Sequence, residues 1–173
     1  MALQAWIALK GAKQGQFKGE TTLAARHDKW IPVLAFTMGV ASPRDPASGQ
    51  ATGKRQYQPL TIVKAWGPAS PQGLTACATN EVLTEVDLEF TRPTPTGQEV
   101  VYQTVKLTQA TFVQIARFTG RPDGSEDTPT SGHGGPGNMM ELERWAFSFS
   151  FRQIEVRDND GNTSFVDSLA PGA

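Results

Sequence analysis

The sequence predicts a mainly β protein, with one antiparallel β-barrel or two-sheet domain, one short α-helix and one long protruding loop. Three observations support this prediction. Many segments are rich in β-branched and aromatic residues, with the alternating or continuously apolar pattern of strands. Only one segment has helical spacing, and glycine- or proline-rich turns separate the segments. We expect a single domain over residues 1–173, with its core at about 5–157 and a flexible tail at 165–173.

The composition excludes several classes of partner and site. The chain has 16 basic and 17 acidic residues, so it lacks the excess positive charge with which nucleic-acid binders neutralise phosphates, and we expect no nucleic-acid partner. Cys77 is the only cysteine, which excludes an internal disulfide. We interpret it as a small buried residue and expect no metal or other cofactor. Residues 1–10 have too short an apolar run for a signal peptide or a membrane span, so we expect cytoplasmic synthesis and no membrane insertion.

The first third of the chain contains the most unusual segment. A strand is predicted over residues 5–10, followed by glycine-interrupted turns over 11–20. Residues 30–40 form a long apolar run, predicted to be one strand buried on both faces. Residues 42–55 have almost no apolar side chains and contain several prolines and glycines, which predicts a long exposed arm. Long loops in compact domains are uncommon and are usually functional or disordered, and we expect a function for this arm.

One short helix is predicted after a strand at residues 60–65. Ser70 is a good N-cap residue and Pro71 suits the first helical position. Leu74 and Cys77 are three residues apart, which predicts that both face the core. Asn80 can end the helix in a left-handed conformation.

A period of two begins at residues 85–90. The apolar residues of this segment alternate with three carboxylates, Glu85, Asp87 and Glu89, as expected of an antiparallel strand with one wet face. Their spacing of about 7 Å also falls in the range of the acid and base of inverting glycoside hydrolysis. Alternating carboxylates are what any solvated strand face contains, so we favour that interpretation over catalysis. A wet face inside a larger assembly, which lines a lumen or a subunit interface, is a further hypothesis.

The remaining segments are predicted to be strands joined by turns. Residues 139–156 are predicted to form the last long strand, and because the apolar parity changes near Arg152 and Gln153 we expect either a bulge there or burial on both faces. The other predicted elements are a turn at 92–97, strands at 100–107 and 111–118, a glycine-rich loop at 120–137 and a turn at 158–161. The two histidines, His27 and His133, lie in polar surroundings and match no catalytic or metal motif, so both are interpreted as solvated.

The order of these features resembles the Hcp family, the tube-forming protein of the bacterial type VI secretion system. No single matching segment is specific, but together the segments cover roughly residues 5–157. They are WIALKG at 6–11, GE at 19–20, WIPVLAF at 30–36, GV at 39–40, the arm, PLTIVK at 59–64, ACA at 76–78, VDLEFTR at 86–92 and FRQIE at 151–155.

The resemblance implies a β-barrel with one helix at its side, assembled as a hexameric ring that stacks into a hollow tube. It also implies that the chain is not an enzyme and that it is exported through the type VI apparatus without a signal peptide. The implied partners are other copies of the chain, the contractile sheath, spike and baseplate proteins, and effector proteins held in the bore. On this hypothesis the contacts between stacked rings are made by arm residues Arg44, Asp45, Gly49, Lys54 and Arg55.

An alternative from a different class is a monomeric β-sandwich that binds a ligand or hydrolyses a substrate in a cleft under the loop at residues 120–137. The two hypotheses differ in the species expected in solution, which is a ring in the first case and a single chain in the second.

Overall fold

Two antiparallel β-sheets make up most of the chain. This computed structural model describes residues 4–20, 27, 29–121, 140–147 and 152–169. The predicted mainly β class with one short helix is confirmed within these residues. In chain order the elements are β1 (Gln4–Gly11), β2 (Gly15–Gln16), β3 (Ile31–Val33), β4 (Ala35–Ala41), β5 (Gln56–Ala65), α1 (Ser70–Ala78), β6 (Leu83–Pro93), β7 (Glu99–Ala110), β8 (Phe112–Gly120), β9 (Met140–Phe147), β10 (Gln153–Asp158) and β11 (Thr163–Ser168).

The first sheet has seven strands and the second has four. In the first sheet the strand order is β11-β10-β7-β6-β1-β2, with β3 also paired to β1. The order in the second sheet is β4-β5-β9-β8. Among the strands that the structure describes, β11 and β4 are therefore edge strands of different sheets, and each pairs with a neighbour on one side.

Apolar side chains from both sheets share one core. Ile7, Leu88 and Leu107 enter it from the seven-stranded sheet, and Ile62 and Trp145 enter it from the four-stranded sheet, all with no exposed surface. The period-two prediction at residues 85–90 is confirmed, because the alternating apolar residues of β6 are buried and its carboxylates face outward. Full burial of each such side chain stabilises the fold by about 1.5–3 kcal/mol.

The prediction of one strand at residues 30–40, buried on both faces, is wrong. The segment breaks at Leu34, whose N–H donates to Val63 O over 2.8 Å. Strand β3 before the break pairs with β1, whereas β4 after it pairs with β5 in the other sheet. Because β4 is an edge strand, its side chains are only partly covered, and Val40 is 55% exposed.

The prediction of one strand at residues 139–156 is also wrong. Strand β9 belongs to the four-stranded sheet and β10 to the seven-stranded sheet, while residues 148–151 lie outside the described residues. Trp145 on β9 and Ile154 on β10 both enter the core, but from opposite sides. The change of apolar parity thus marks a change of sheet and not a bulge.

The predicted helix is present, but it presents a different face to the core. Leu74 is 38% exposed and Cys77 is half-buried, whereas Gly73 and Ala76 are buried. A Cβ atom at position 73 would lie 2.7 Å from Trp145 Cζ2, so only glycine allows the helix to come this close to the indole. Ser70 makes no N-cap hydrogen bond and lies inside the helix, after Ala69.

The chain reverses direction between α1 and β6 and again between β6 and β7, and both turns contain the residue types that were predicted for them. Asn80 follows α1 with φ of 51°, as expected of a helix-ending asparagine. Gly97, also with positive φ, lies in the turn between β6 and β7. The tail prediction was wrong in part, because residues 165–168 belong to β11, which pairs with β10 along its whole length.

A buried glutamate organises the turn between β1 and β2. Glu81 is 3% exposed, and its Oε1 accepts hydrogen bonds from the backbone N–H groups of Lys13 (2.7 Å) and Gln14 (2.8 Å). The Gln14 side-chain amide donates to Oε2 over 2.9 Å. Burial acts to raise the pKa of Glu81, but these hydrogen bonds outweigh it and hold the pKa below its ordinary value of 4.5.

We expect Glu81→Ala to lower the free energy of unfolding by about 1–3 kcal/mol, because it leaves the partly buried backbone N–H groups of Lys13 and Gln14 without their acceptor. The charged form stabilises the fold fully above pH 4.5, and this contribution is lost as the pH falls through the lower folded-state pKa. Urea titrations of the wild type and Glu81→Gln should therefore give a stability difference that shrinks below pH 4.5. The exposed Glu141 on β9 provides the control variant, Glu141→Gln, for which a difference of similar size and pH dependence would contradict the prediction.

Candidate assembly surfaces

The predicted arm is an exposed hairpin that extends β4 and β5. Most of its residues are exposed, as predicted, but the segment is not structureless. Thr52 N–H donates to Pro43 O over 3.0 Å, Asp45 N–H donates to Gln50 O over 2.9 Å, and Arg44 and Ala51 form an antiparallel bridge. The arm is therefore pre-ordered, which lowers the conformational entropy that it would lose on binding another surface.

Asp45 holds the tip of the arm together. Its Oδ1 accepts a hydrogen bond from Ala47 N–H over 2.9 Å, and its Oδ2 accepts one from the Ser48 hydroxyl over 2.8 Å. The Ala47 N–H and the Ser48 hydroxyl hold the pKa of Asp45 below its ordinary value, so its carboxylate stays charged in this turn. Gly49 has φ of 69° and its carbonyl accepts a hydrogen bond from Arg44 Nη1 over 3.0 Å.

The base of the arm is attached to the C-terminal strand. Arg55 donates from Nε and Nη2 to both carboxylate oxygens of Asp167 on β11, and the Tyr57 hydroxyl donates to Asp167 Oδ2. Arg55 Nη2 also lies 3.3 Å from Ser168 O. The five residues predicted to contact a stacked ring thus have different local environments. Three of them build the tip, Arg55 binds Asp167 of its own chain, and Lys54 is exposed with no ion-pair partner among the described residues.

The second predicted surface is the outward face of β6 and its neighbours. Asp87 lies opposite Lys106 of β7, and the Lys106 Nζ atom is 3.6 Å from Glu85 and 3.8 Å from Asp87. A groove of about 420 Å³ crosses this face. The charged side chains that line the groove are Asp87, Glu89, Lys106, Glu155 and Arg157, with Trp30 beside them.

The groove is lined by three carboxylates and two cations, and Asp87 is the carboxylate whose pKa responds to these surroundings. Burial raises the pKa of Asp87, Lys106 acts to lower it, and the charges of Glu85 and Glu89 raise it further, so the pKa lies above the ordinary value. A cationic segment that approached this face would favour the charged form of Asp87. The structure brings the three predicted carboxylates together on the outward face of β6.

His27 is not solvated, contrary to the prediction. The imidazole is 1% exposed and stacks on the Trp6 indole, with ring centroids 5.1 Å apart, while Trp30 packs edge-on at 5.3 Å. His27 Nε2 and Glu89 Oε2 lie 2.7 Å apart and share a hydrogen bond. The histidine therefore joins the segment before β3 to the carboxylate face, and only the tertiary position of the two tryptophans could have indicated this.

The sequence also gave no indication of a buried charge cluster under α1. Lys64 on β5 has no exposed surface, and its Nζ atom lies 2.8 Å from Glu20 Oε1 and 2.9 Å from Glu143 Oε1. Ser70 donates to the same Glu143 oxygen over 2.6 Å. Arg117 Nε is 3.7 Å from Glu143 Oε2, so the four charges of the cluster balance. This cluster joins the helix to the four-stranded sheet and has a structural role.

The residues that the structure describes lack both a metal-binding cluster and a membrane-spanning helix. They contain no group of three or more His, Cys, Asp or Glu side chains that could hold a metal ion. Over the same residues, no helix has the length and apolar character needed to cross a membrane. The loop predicted at 120–137 and its His133 lie almost entirely outside the described residues, since positions 122–139 are not described.

Comparisons with known proteins agree on one family. The family described as "Type VI secretion system effector, Hcp" matches residues 6–157. The "Major exported protein" of Pseudomonas aeruginosa is 34% identical over an alignment of 126 residues, which covers 68% of this chain and 73% of that protein. Among solved structures, the "Crystal structure of Hcp protein" has a TM-score of 0.81 at 23% identity and covers 99% of this chain and 100% of its own. "Secreted protein Hcp3 from Pseudomonas aeruginosa" has a TM-score of 0.72 at 24% identity, over 98% and 99% of the two chains.

The fold and its surfaces define a structural β protein with a pre-ordered arm and without a catalytic constellation in its described residues. The chain belongs to the Hcp family, the secreted tube proteins of the type VI secretion system. The members of this family are structural proteins and not enzymes, so the hydrolase alternative is wrong.

Proposed function

We propose that this chain forms hexameric rings that stack into the hollow inner tube of a type VI secretion apparatus, and that it leaves the cell through that apparatus. Membership of the Hcp family supports this proposal. The contractile sheath, the spike and the baseplate are its proposed partners, because a tube of this kind has to be propelled and capped.

The observation that best supports stacking is the pre-ordered arm. The order of the arm comes from its own backbone hydrogen bonds, and a long exposed polar segment that is kept ordered in this way usually carries a function such as binding a partner. Arg44, Lys54 and Arg55 are exposed cations of this hairpin, and the tip is held together by Asp45 and Gly49. We assign the contacts with the next ring to the tip and to Lys54, and not to Arg55, whose guanidinium already binds Asp167.

The carboxylate face is the proposed surface for passenger proteins or for the neighbouring subunit of the ring. Its groove of about 420 Å³ combines carboxylates, two cations and the Trp30 indole. A wet, mixed-charge face of this kind suits reversible contacts, because exposed ion pairs contribute little binding energy each. Effector proteins that travel in the bore would meet such a surface without being held permanently.

We expect deletion of residues 47–52 to abolish ring stacking while the rings themselves persist. Negative-stain electron microscopy of concentrated protein and light scattering measure the two species, and circular dichroism with a thermal melt checks that the variant folds. Two single substitutions test whether the positive charge of Lys54 contributes to stacking. Lys54→Gln should reduce ring stacking, whereas Lys18→Gln, at an exposed lysine outside the arm, should leave it unchanged. Stacking and export that remain unchanged after the deletion would show that the arm has another role.

A further inference from the structure

The C-terminal edge strand places a carboxylate on the inward side of the fold. Asp167 pairs with Ile154 across the β10–β11 ladder, and residues directly opposite each other in a ladder share a face of the sheet. Ile154 is buried in the core, so Asp167 also faces inward, toward the four-stranded sheet. Its side chain is only 14% exposed. An inward-facing charge on an edge strand requires a partner, because its solvation by water is incomplete.

Two residues at the base of the arm are that partner. Arg55 binds both carboxylate oxygens of Asp167 in a bidentate arrangement, and the buried Tyr57 hydroxyl donates to one of them. Bidentate arginine–carboxylate pairs fix orientation as well as distance. Tyr57 belongs to β5 and Asp167 to β11, so the contact joins the edge of one sheet to the strand from which the arm projects.

We propose that Asp167 is a positioning residue for the arm: through Arg55 and Tyr57 it fixes the direction in which the arm projects before another subunit is met. This inference rests on the proposed function, in which the arm contacts a second copy of the chain. Hydrogen bonds from Arg55 and Tyr57 hold the pKa of Asp167 below its ordinary value, so the carboxylate is charged whenever the contact forms. The last strand and the arm, 112 residues apart in sequence, thereby act as one unit.

The direct test measures where the arm points. Spin labels are attached to cysteines introduced by Ala47→Cys in the arm and Gln98→Cys in the exposed β6–β7 turn. The chain is full-length, and Cys77→Ser removes the native cysteine. Labelled protein is diluted with unlabelled protein so that electron–electron distances report one chain. We expect Asp167→Asn to broaden the distance distribution about twofold or more and to reduce tube formation by on the order of tenfold, since it removes the charge that binds Arg55.

A matched control is available in the same chain. Arg92 and Asp160 form another arginine–aspartate pair, away from the arm and with both side chains nearly half exposed. Asp160→Asn should leave the distance distribution and tube formation unchanged. The charge-reversed double variant Arg55→Asp/Asp167→Arg should narrow the distribution again relative to Asp167→Arg alone, a recovery that general destabilisation would not produce. Thermal unfolding of every variant confirms that each one is folded.

The remaining outcomes separate this inference from the proposed function. A distribution that stays narrow in Asp167→Asn overturns the positioning role. Broadening with unchanged tube formation, in a protein whose tubes are lost on deletion of residues 47–52, shows that the direction of the arm does not matter and also overturns the inference. If the deletion itself leaves tubes intact while Asp167→Asn broadens the distribution, the positioning contact is upheld and the proposed role of the arm in stacking is wrong.

Discussion

Replacing Lys64 by methionine is expected to lower the free energy of unfolding by about 3–5 kcal/mol. The Lys64 ammonium is fully buried and lies within 2.9 Å of an oxygen of Glu143 and within 2.8 Å of one of Glu20. Methionine fills a similar volume but removes the cation nearest to both carboxylates, and the remaining Arg117 Nε lies 3.7 Å from Glu143 Oε2. A buried carboxylate that loses its closest counter-charge is strongly unfavourable, whereas the apolar replacement recovers little. Urea titration followed by tryptophan fluorescence or circular dichroism measures the loss.

Lys106→Met is the control for this prediction. Lys106 also lies near two carboxylates, Glu85 and Asp87, but it is 43% exposed and its partners are 3.6 and 3.8 Å away. Water screens these pairs, so we expect a loss below about 1 kcal/mol. Equal losses in Lys64→Met and Lys106→Met would show that burial of the cluster is not the cause.

A double variant tests whether the stability lost in Lys64→Met comes from the buried Glu143 carboxylate that has lost its closest cation. In Lys64→Met/Glu143→Leu the fully buried carboxylate is removed together with its cation. Glu20 and Arg117 remain, but both have exposed surface through which they can be hydrated. We expect the double variant to be more stable than Lys64→Met by about 1–2 kcal/mol. If the loss of stability in the double variant equals the sum of the losses in Lys64→Met and Glu143→Leu, each side chain contributes through its own packing and not through the ion pair.

Trp145→Ala is the second substitution with a large expected effect, a loss of about 3–5 kcal/mol. The Trp145 indole has no exposed surface and meets Phe112 edge-on at 5.3 Å, Gly73 of α1 and the Lys64 ammonium, which lies 5.0 Å from the ring centroid. Its removal opens a cavity where the helix, the four-stranded sheet and the charge cluster meet. The loss combines the transfer energy of the ring with the cost of the cavity.

Trp66→Ala is the matched control, because Trp66 is close in the fold but 42% exposed. It stacks under the Arg117 guanidinium at 3.7 Å and donates a hydrogen bond to Leu142 O over 2.8 Å. We expect a loss of about 1–2 kcal/mol for Trp66→Ala, from the lost stacking and hydrogen bond. The same denaturation experiment applies to both variants. A Trp145→Ala loss no larger than that of Trp66→Ala would mean that the core collapses to fill the space.

These two substitutions and the arm variants test different properties of the molecule. Lys64 and Trp145 lie under α1, and their described contacts are with residues of the charge cluster, the helix and the core. Their replacement should therefore lower stability and reduce tube formation only in proportion to the unfolded fraction. The arm variants should instead abolish or reduce tube formation while the free energy of unfolding stays nearly unchanged.

Much of the fold could be predicted from the sequence because the relevant signals are local. Alternation on β6 placed Val86 and Leu88 inside and Asp87 outside, and the structure agrees. Proline and glycine at residues 42–55 marked the arm, since these residues disfavour both a helix and a continuous ladder. The helix was found from Ser70 and Pro71, although its buried face was assigned incorrectly. That error came from the close approach of Gly73 to Trp145, which apolar spacing cannot indicate.

The sequence by itself determined the β class, the place of the helix and the exposed arm, because each depends on neighbours a few residues away. Only the tertiary structure decided where the chain changes sheets, that Lys64 and His27 are buried, and that Arg55 binds Asp167. The partners in these contacts are 79, 62 and 112 residues apart. A charged side chain can be buried only when an oppositely charged or hydrogen-bonding partner lies beside it in the folded chain. The residues next to a lysine or a histidine in the sequence do not indicate which distant strand supplies that partner.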